Sequence, residues 1–243
     1  MSFWDHLDVL RGTLIRSVVS IVLVSAIFLA IPERLFKAVL WPTTSDFILY
    51  KWLGLDFKMS LINIEVSAQF FVHLKISILM AVIVAFPYII YEIWKFIAPA
   101  LYENEKKAVS KAFGMSSFLF YLGVAVGYFI VLPVCLVFFM NYTVSDTVEN
   151  TISLSSYISL FTSMVFLIGL LFEFPTVVMV LSHLGLLTRK QLRGFRKSAF
   201  VVILILAALI TPSDPFSMFV LSVPLYALYE FSILMCKKDD LAE

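Results

Sequence analysis

Long, nearly uncharged apolar runs alternate along this chain with short stretches dense in charge, aromatic residues and proline. A helix needs about 20 predominantly apolar residues to cross about 30 Å of hydrocarbon. Six runs meet or approach that length: Leu14–Ile31, Phe70–Ile90, Ala112–Met140, Ile158–His183, Ser198–Ile210 and Phe216–Cys236. The pattern predicts an all-α integral membrane protein, a single polytopic domain over residues 1–243, with six transmembrane helices. Pro87, Pro133, Pro175 and Pro224 fall inside four of the spans. Each removes a backbone hydrogen bond and bends its helix, so the bundle is expected to be bent and concave. The fifth and sixth helices are expected to be short. The fifth has about 13 apolar residues and covers about 20 Å, roughly 10 Å less than the hydrocarbon core. It is either a half-span buried in the bundle or a helix beside which the bilayer thins.

The connecting segments differ in kind. Pro32–Ala68 carries Trp41, Pro42, Tyr50 and Trp52, too aromatic for a disordered linker, and predicts a structured cap at the interface. Asn141–Tyr157 is polar and acidic, rich in Ser and Thr, and Thr211–Pro215 is only a tight turn. Gly123 and Gly127, four apart in the third span, allow close helix approach, either inside the bundle or between protomers. No internal repeat or low-complexity run interrupts the chain.

Composition points the same way. The 243 residues are 61% hydrophobic and only 14% charged, where a soluble domain carries roughly a quarter charged residues. The net charge of +1 gives no reason to expect nucleic acid. Placement of the charges is more telling. Arg11, Arg16, Lys95, Lys106, Lys107, Lys111, Arg189, Lys190, Arg193, Arg196, Lys197, Lys237 and Lys238 collect on one side of the predicted spans. The other side holds Arg34, Lys37, Lys51 and Lys58, and Lys75 lies within the second span. By the positive-inside rule the basic side is cytoplasmic and both termini lie there. Asp5 and Asp8 in the would-be n-region, with five spans following, argue against a cleaved signal peptide. Cys135 and Cys236 fall near opposite membrane faces, give no metal spacing and are expected to be small apolar fillers.

Ionisable groups inside lipid are costly and default to function. Glu173 stands mid-span with Pro175 two residues on, a stretch both charged and broken. It is either a hydrogen-bonded carboxyl serving packing or a functional polar face. Lys75 and His73 lie early in the second span, where Lys75 can snorkel to the external interface. Glu230 is placed to pair with Lys237 or Lys238, and Asp214 to cap the sixth helix. His6 and His183 belong to no recognisable constellation. There is no HExxH, no GxSxG and no His/Cys/carboxylate cluster with metal-ligand spacing, so neither enzyme, cofactor nor metal is expected.

The first cytoplasmic loop places Glu103 and Glu105 among aromatics at the membrane boundary, beside Lys106 and Lys107. Carboxylates there suit guanidinium groups, which they bind in charge-assisted, bidentate pairs. The alternative is a solvated loop neutralised by its lysines. The run FPYIIYEIWKFIAPALYENEK, Phe86 to Lys106, resembles the signature of the TatC family. So do His6–Arg11 (HLDVLR), Phe172–Pro175 (FEFP), Thr211–Phe216 (TPSDPF), and Pro224 followed by Tyr229 and Glu230.

The resemblance implies a receptor, in the bacterial inner membrane, for signal peptides with two consecutive arginines. TatA-like and possibly TatB-like single-span partners would join it, and folded cargo would cross at the expense of the proton-motive force. A homo-oligomeric receptor complex is implied as well. It further implies that Glu105 contacts the arginine pair, with Phe96, Pro99, Leu101 and Tyr102 around it and Arg11 in the same region. Glu173, with Pro175, would meet a polar group of the partner helix. Pro42 and Asp214 match the family's external-loop proline and acidic turn. One position departs: the family's glutamate two residues before the N-terminal arginine is Val9 here. Asp8, about 100° away around a helix, Asp5 or Glu103 is left to take the second arginine. Two other classes compete with this reading. A proton-coupled solute transporter centred on Glu173 would call for inverted repeats and converging midplane polar groups, and neither is found. A purely structural scaffold would use Glu173 for packing alone.

Overall fold

The computed structural model describes residues 3–100, 102–143, 145, 150–211 and 214–236, with the side chains of all of these except 3–6, 100, 103–105 and 108. Five helical stretches are long and apolar enough to cross a membrane: Leu7–Leu29, Ala68–Ile97, Val109–Asn141, Leu154–His183 and Pro215–Met235. The first belongs to α1 (Phe3–Leu29) and the second is α4 (Ala68–Ile97). The third is α5 (Glu103–Val126), a π turn over Gly127–Val131, and α6 (Leu132–Asn141). The fourth is α7 (Leu154–Leu171) followed by α8 (Phe174–His183), and the last is α11 (Pro215–Met235). Between α8 and α11 lie the short α9 (Arg189–Gly194) and α10 (Arg196–Ile210). With 15 residues, α10 reaches only about 22 Å, so the fifth apolar run is indeed too short to span alone. The sixth helix, at 21 residues, is of ordinary length.

Prolines shape these helices in two ways. Pro87 and Pro224 sit inside continuous helices. Pro133 is the second residue after the π turn, and Pro175 the second residue of α8 after a full break at Phe172–Glu173. A proline N has no hydrogen to give the carbonyl one turn back, so the ladder is either re-registered or cut. Two spans overrun the boundaries read from hydropathy. α4 runs on to Ile97 and α1 starts at Phe3, because amphipathic Tyr, Trp and Lys side chains let a helix continue through the interface.

The Pro32–Ala68 segment forms the expected cap: α2 (Pro32–Leu40), a 3₁₀ turn over Trp41–Thr43, α3 (Ile48–Leu53) and a two-residue strand β1 (Leu61–Ile62). β1 pairs in parallel with β2 (Ile152–Ser153), Leu61 opposite Ile152, and so ties this cap to the segment before α7. The end of α2 needs hydrogen-bond donors, since its last four carbonyls receive none within the helix. Side-chain hydroxyls supply them. Tyr128 donates to the Ala38 carbonyl at 2.6 Å, Tyr157 to Val39 at 2.6 Å and Thr43 to Leu40 at 2.7 Å. Tyr50 donates to the Pro42 carbonyl at 2.9 Å, and Phe47, stacked on Phe129 at 5.9 Å, seals the arrangement.

The core runs through α4, α5 and α7 and continues by way of α8 to α11. Phe86 stacks on Phe120 at 3.6 Å between α4 and α5. Gly123 and Gly127 serve an internal contact: a Cβ on Gly123 would stand 2.7 Å from the Phe172 side chain and 2.9 Å from the Gly169 Cα, and one on Gly127 3.1 Å from the Met164 carbonyl. The span in α1 is peripheral by comparison. Only 17% of its apolar window is buried, against 39–44% in the other four, and it packs chiefly along α4.

Candidate functional site

α4 delivers the predicted loop to one end of the bundle. Its last turn ends at Ile97 and leads through a 3₁₀ turn, Ala98–Ala100, into α5. Trp94 packs on Phe113 of α5 at 5.3 Å and closes this corner. Phe96 is half-buried, Pro99 exposed and Tyr102 77% exposed. Glu103 and Glu105 fall in the first turn of α5, a place where the helix dipole favours carboxylates. Their side chains, that of Asp5, and all of Leu101 lie outside the described residues. Asp8, Val9 and Arg11 are exposed on α1.

What fixes α1 against α4 is an ion pair that sequence reasoning passed over. Arg16 donates from Nε to Glu92 Oε2 at 2.7 Å, and its Nη2 stands 2.6 Å from the same oxygen. Nη2 also reaches Thr13 Oγ1 at 3.3 Å. Glu92 is only 3% exposed, with Tyr88 one turn before it. The two helices run antiparallel, and the pair sets their register. Ile97 lies about 8 Å beyond Glu92 along α4, and Val9 about 10 Å before Arg16 along α1. Asp8 and Val9 therefore stand near the level of the α4–α5 turn. Arg16, counted with the basic side and lying within the first span, is thus engaged by α4. The available signal was a basic residue in the first span and an acidic one near the end of the second, two helices that the topology makes neighbours.

Glu173 occupies the break between α7 and α8, buried, and accepts a hydrogen bond from Ser116 of α5 at 2.5 Å. Its other oxygen, Oε1, is buried and has no partner in good hydrogen-bond geometry, with Thr176 and the Phe120 backbone as its polar neighbours. Among the described residues no cation lies within 4.0 Å of it. Pro175, buried, follows in the first turn of α8. Glu173 and Glu105 thus lie at different places in the fold, one mid-span and one at a helix start.

The remaining predicted residues have local partners. Asp214 caps α11, accepting from the Ser217 amide at 2.6 Å. Pro42 is buried under Tyr50. Lys75 donates to Ser159 of α7 at 3.2 Å. Glu230 pairs with Arg196 of α10 at 2.6 Å; Lys237 and Lys238, its expected partners, lie outside the described residues. Cys135 and Cys236 are buried thiols, the latter 3.0 Å from the Ser182 hydroxyl.

Known proteins share this fold. The family model for the Sec-independent protein translocase protein (TatC) matches residues 5–224. The Sec-independent protein translocase protein TatC of Blattabacterium sp. subsp. Periplaneta americana (strain BPLAN) is 36% identical, over 96% of this chain and 94% of its own. A crystal structure of the twin arginine translocase receptor TatC aligns with TM-score 0.77 at 34% identity, covering 95% of this chain and 97% of that one. The same receptor crystallised in DDM aligns with TM-score 0.80, covering 96% and 99%. This chain is a multi-pass membrane protein of a translocase family, not of an enzyme family, and it belongs to the TatC family.

Proposed function

We propose that this chain is the receptor subunit of a twin-arginine translocase, binding signal peptides through a carboxylate-lined corner where α4 turns into α5. The supporting observation is positional: the signature run Phe86–Lys106 forms the end of α4, the turn and the start of α5, and α1 brings Asp8 and Arg11 to the same level. Two solved structures of like fold are named as twin arginine translocase receptors. In this reading Glu105 pairs with one guanidinium. Phe96, Pro99, Leu101 and Tyr102 form the surrounding interface, Asp8 or Glu103 helps hold the second arginine, and Arg11 sets the edge of the site. The basic end is cytoplasmic, with both termini there.

The apolar part of the signal then lies along the bundle toward Glu173. Its buried Oε1 beside the Pro175 break, without a partner in good geometry, is an acceptor for a polar group of a TatA-like or TatB-like helix. The short α10 thins the bilayer locally, cargo crosses folded under the proton-motive force, and several copies of the chain share the receptor complex. Pro42 and Asp214 act by holding the external cap and the α10–α11 turn. The test is cross-linking of a twin-arginine signal peptide to full-length protein in native lipid. Glu105→Ala is expected to lower the yield at least tenfold, about the loss of one charge-assisted pair; equal yields reject the recognition role.

A further inference from the structure

Two consecutive side chains of an extended peptide point to opposite sides, so a receptor for an arginine pair needs two separated anionic partners. This inference rests on the receptor reading above and concerns the second of them. On α1 the position two residues before Arg11 is Val9, apolar and exposed. Seven residues further on, within about 20° of Val9 around the helix, stands Arg16. That face of α1 therefore presents a guanidinium, and the carboxylate meeting it belongs to α4. Glu92 is 3% exposed, yet the Arg16 side chain that covers it is 44% exposed. A buried carboxylate whose cover is a half-exposed arginine side chain on a peripheral helix is a guanidinium site with an internal ligand in place. The internal ligand is also imperfect. Both of its nitrogens meet one oxygen, Oε2, where a fork-to-fork pair would use two.

We propose that Glu92 is the second guanidinium-binding carboxylate of the receptor, and that Arg16 is a stand-in which the signal arginine displaces. Displacement leaves Arg16 free to turn toward the lipid phosphates at the same interface. The second arginine then docks about two helical turns deeper along the α1–α4 seam than Val9.

The test measures binding of a labelled Arg-Arg signal peptide, and of its Lys-Lys counterpart, to full-length protein in nanodiscs of anionic lipid. If Arg16 competes with the peptide, Arg16→Gln binds the Arg-Arg peptide about tenfold more tightly. Glu92→Gln binds it about tenfold more weakly, and the double variant is as weak as Glu92→Gln alone. A purely architectural pair predicts the opposite pattern. Both single substitutions then weaken binding by loosening α1, and the double variant, which leaves no charge unpaired, restores it; that result overturns the proposal. The double variant carries the same test if Glu92→Gln alone does not fold. Wild-type affinity in every Arg16 and Glu92 variant, with loss only in Glu105→Ala, overturns the proposal and leaves the receptor reading standing. Equal wild-type affinity for the Arg-Arg and Lys-Lys peptides overturns both.

Discussion

Alanine at Gly123 and alanine at Gly114 are the same chemical change on the same helix, and the structure gives them opposite signs. At Gly123 the new Cβ would sit 2.7 Å from Cβ and Cγ of Phe172 and 2.9 Å from the Gly169 Cα. Carbon atoms rest at about 3.5–4.0 Å, so α5 and α7 have to part by about 1 Å. The atoms in the way are backbone and the stem of a ring, not the far end of a flexible side chain. Overpacking of this kind costs about 1–3 kcal/mol, against a gain of about 0.5–1 kcal/mol for replacing a mid-helix glycine. Gly114→Ala meets nothing within 4 Å and keeps only the gain. For a chain of this size about 1 kcal/mol moves the melting temperature by roughly 2–4 °C. Thermal unfolding of purified protein in detergent should therefore show Gly123→Ala several degrees below wild type and Gly114→Ala slightly above it. The reasoning fails if Gly123→Ala melts at or above wild type, or if Gly114→Ala falls as far.

Tyr157→Phe removes a buried donor and leaves the Val39 carbonyl unsatisfied; a loss of about 1–3 kcal/mol is expected in the same melting assay, and an unchanged melt would mean the carbonyl finds another partner. Asp214→Ala removes the cap of α11, for about 1 kcal/mol. Asp214→Asn should recover most of that, and a failure to do so would show that charge, not capping, is what the position supplies.

The spans were legible because the bilayer enforces them. A run of 20 apolar residues has few other fates, and the six runs fall on observed helices in the expected order. Their ends were not, because hydropathy fades at Tyr91–Trp94 while the backbone still gains by staying helical. That blurred edge left Glu92 just outside the second span as read, so its pairing with Arg16 went unseen. Ion-pair partners also escaped one-dimensional reading. Glu230 has Lys237 and Lys238 close in sequence, but packing of α10 on α11 brings it Arg196, 34 residues upstream. The glycine pair signalled a close approach, and only the fold shows that Gly169 receives it. The aromatic Pro32–Ala68 segment announced a cap; its pairing with Ile152–Ser153 rests on two residues a side, below any pattern signal. Val9 marked a missing carboxylate in the family's N-terminal site without saying what replaces it.

The Arg16–Glu92 contact also joins residues 76 positions apart. At a synthesis rate of about 5–20 residues per second, the ribosome delivers the arginine roughly 4–15 s before its carboxylate exists. For that interval the newborn first helix has no α4 to lean on, and its arginine has to stretch toward headgroup phosphates. Emergence of Glu92 then recruits the waiting helix, so the partner that ends this solitary stage of biogenesis is encoded in the second span, well downstream of the first.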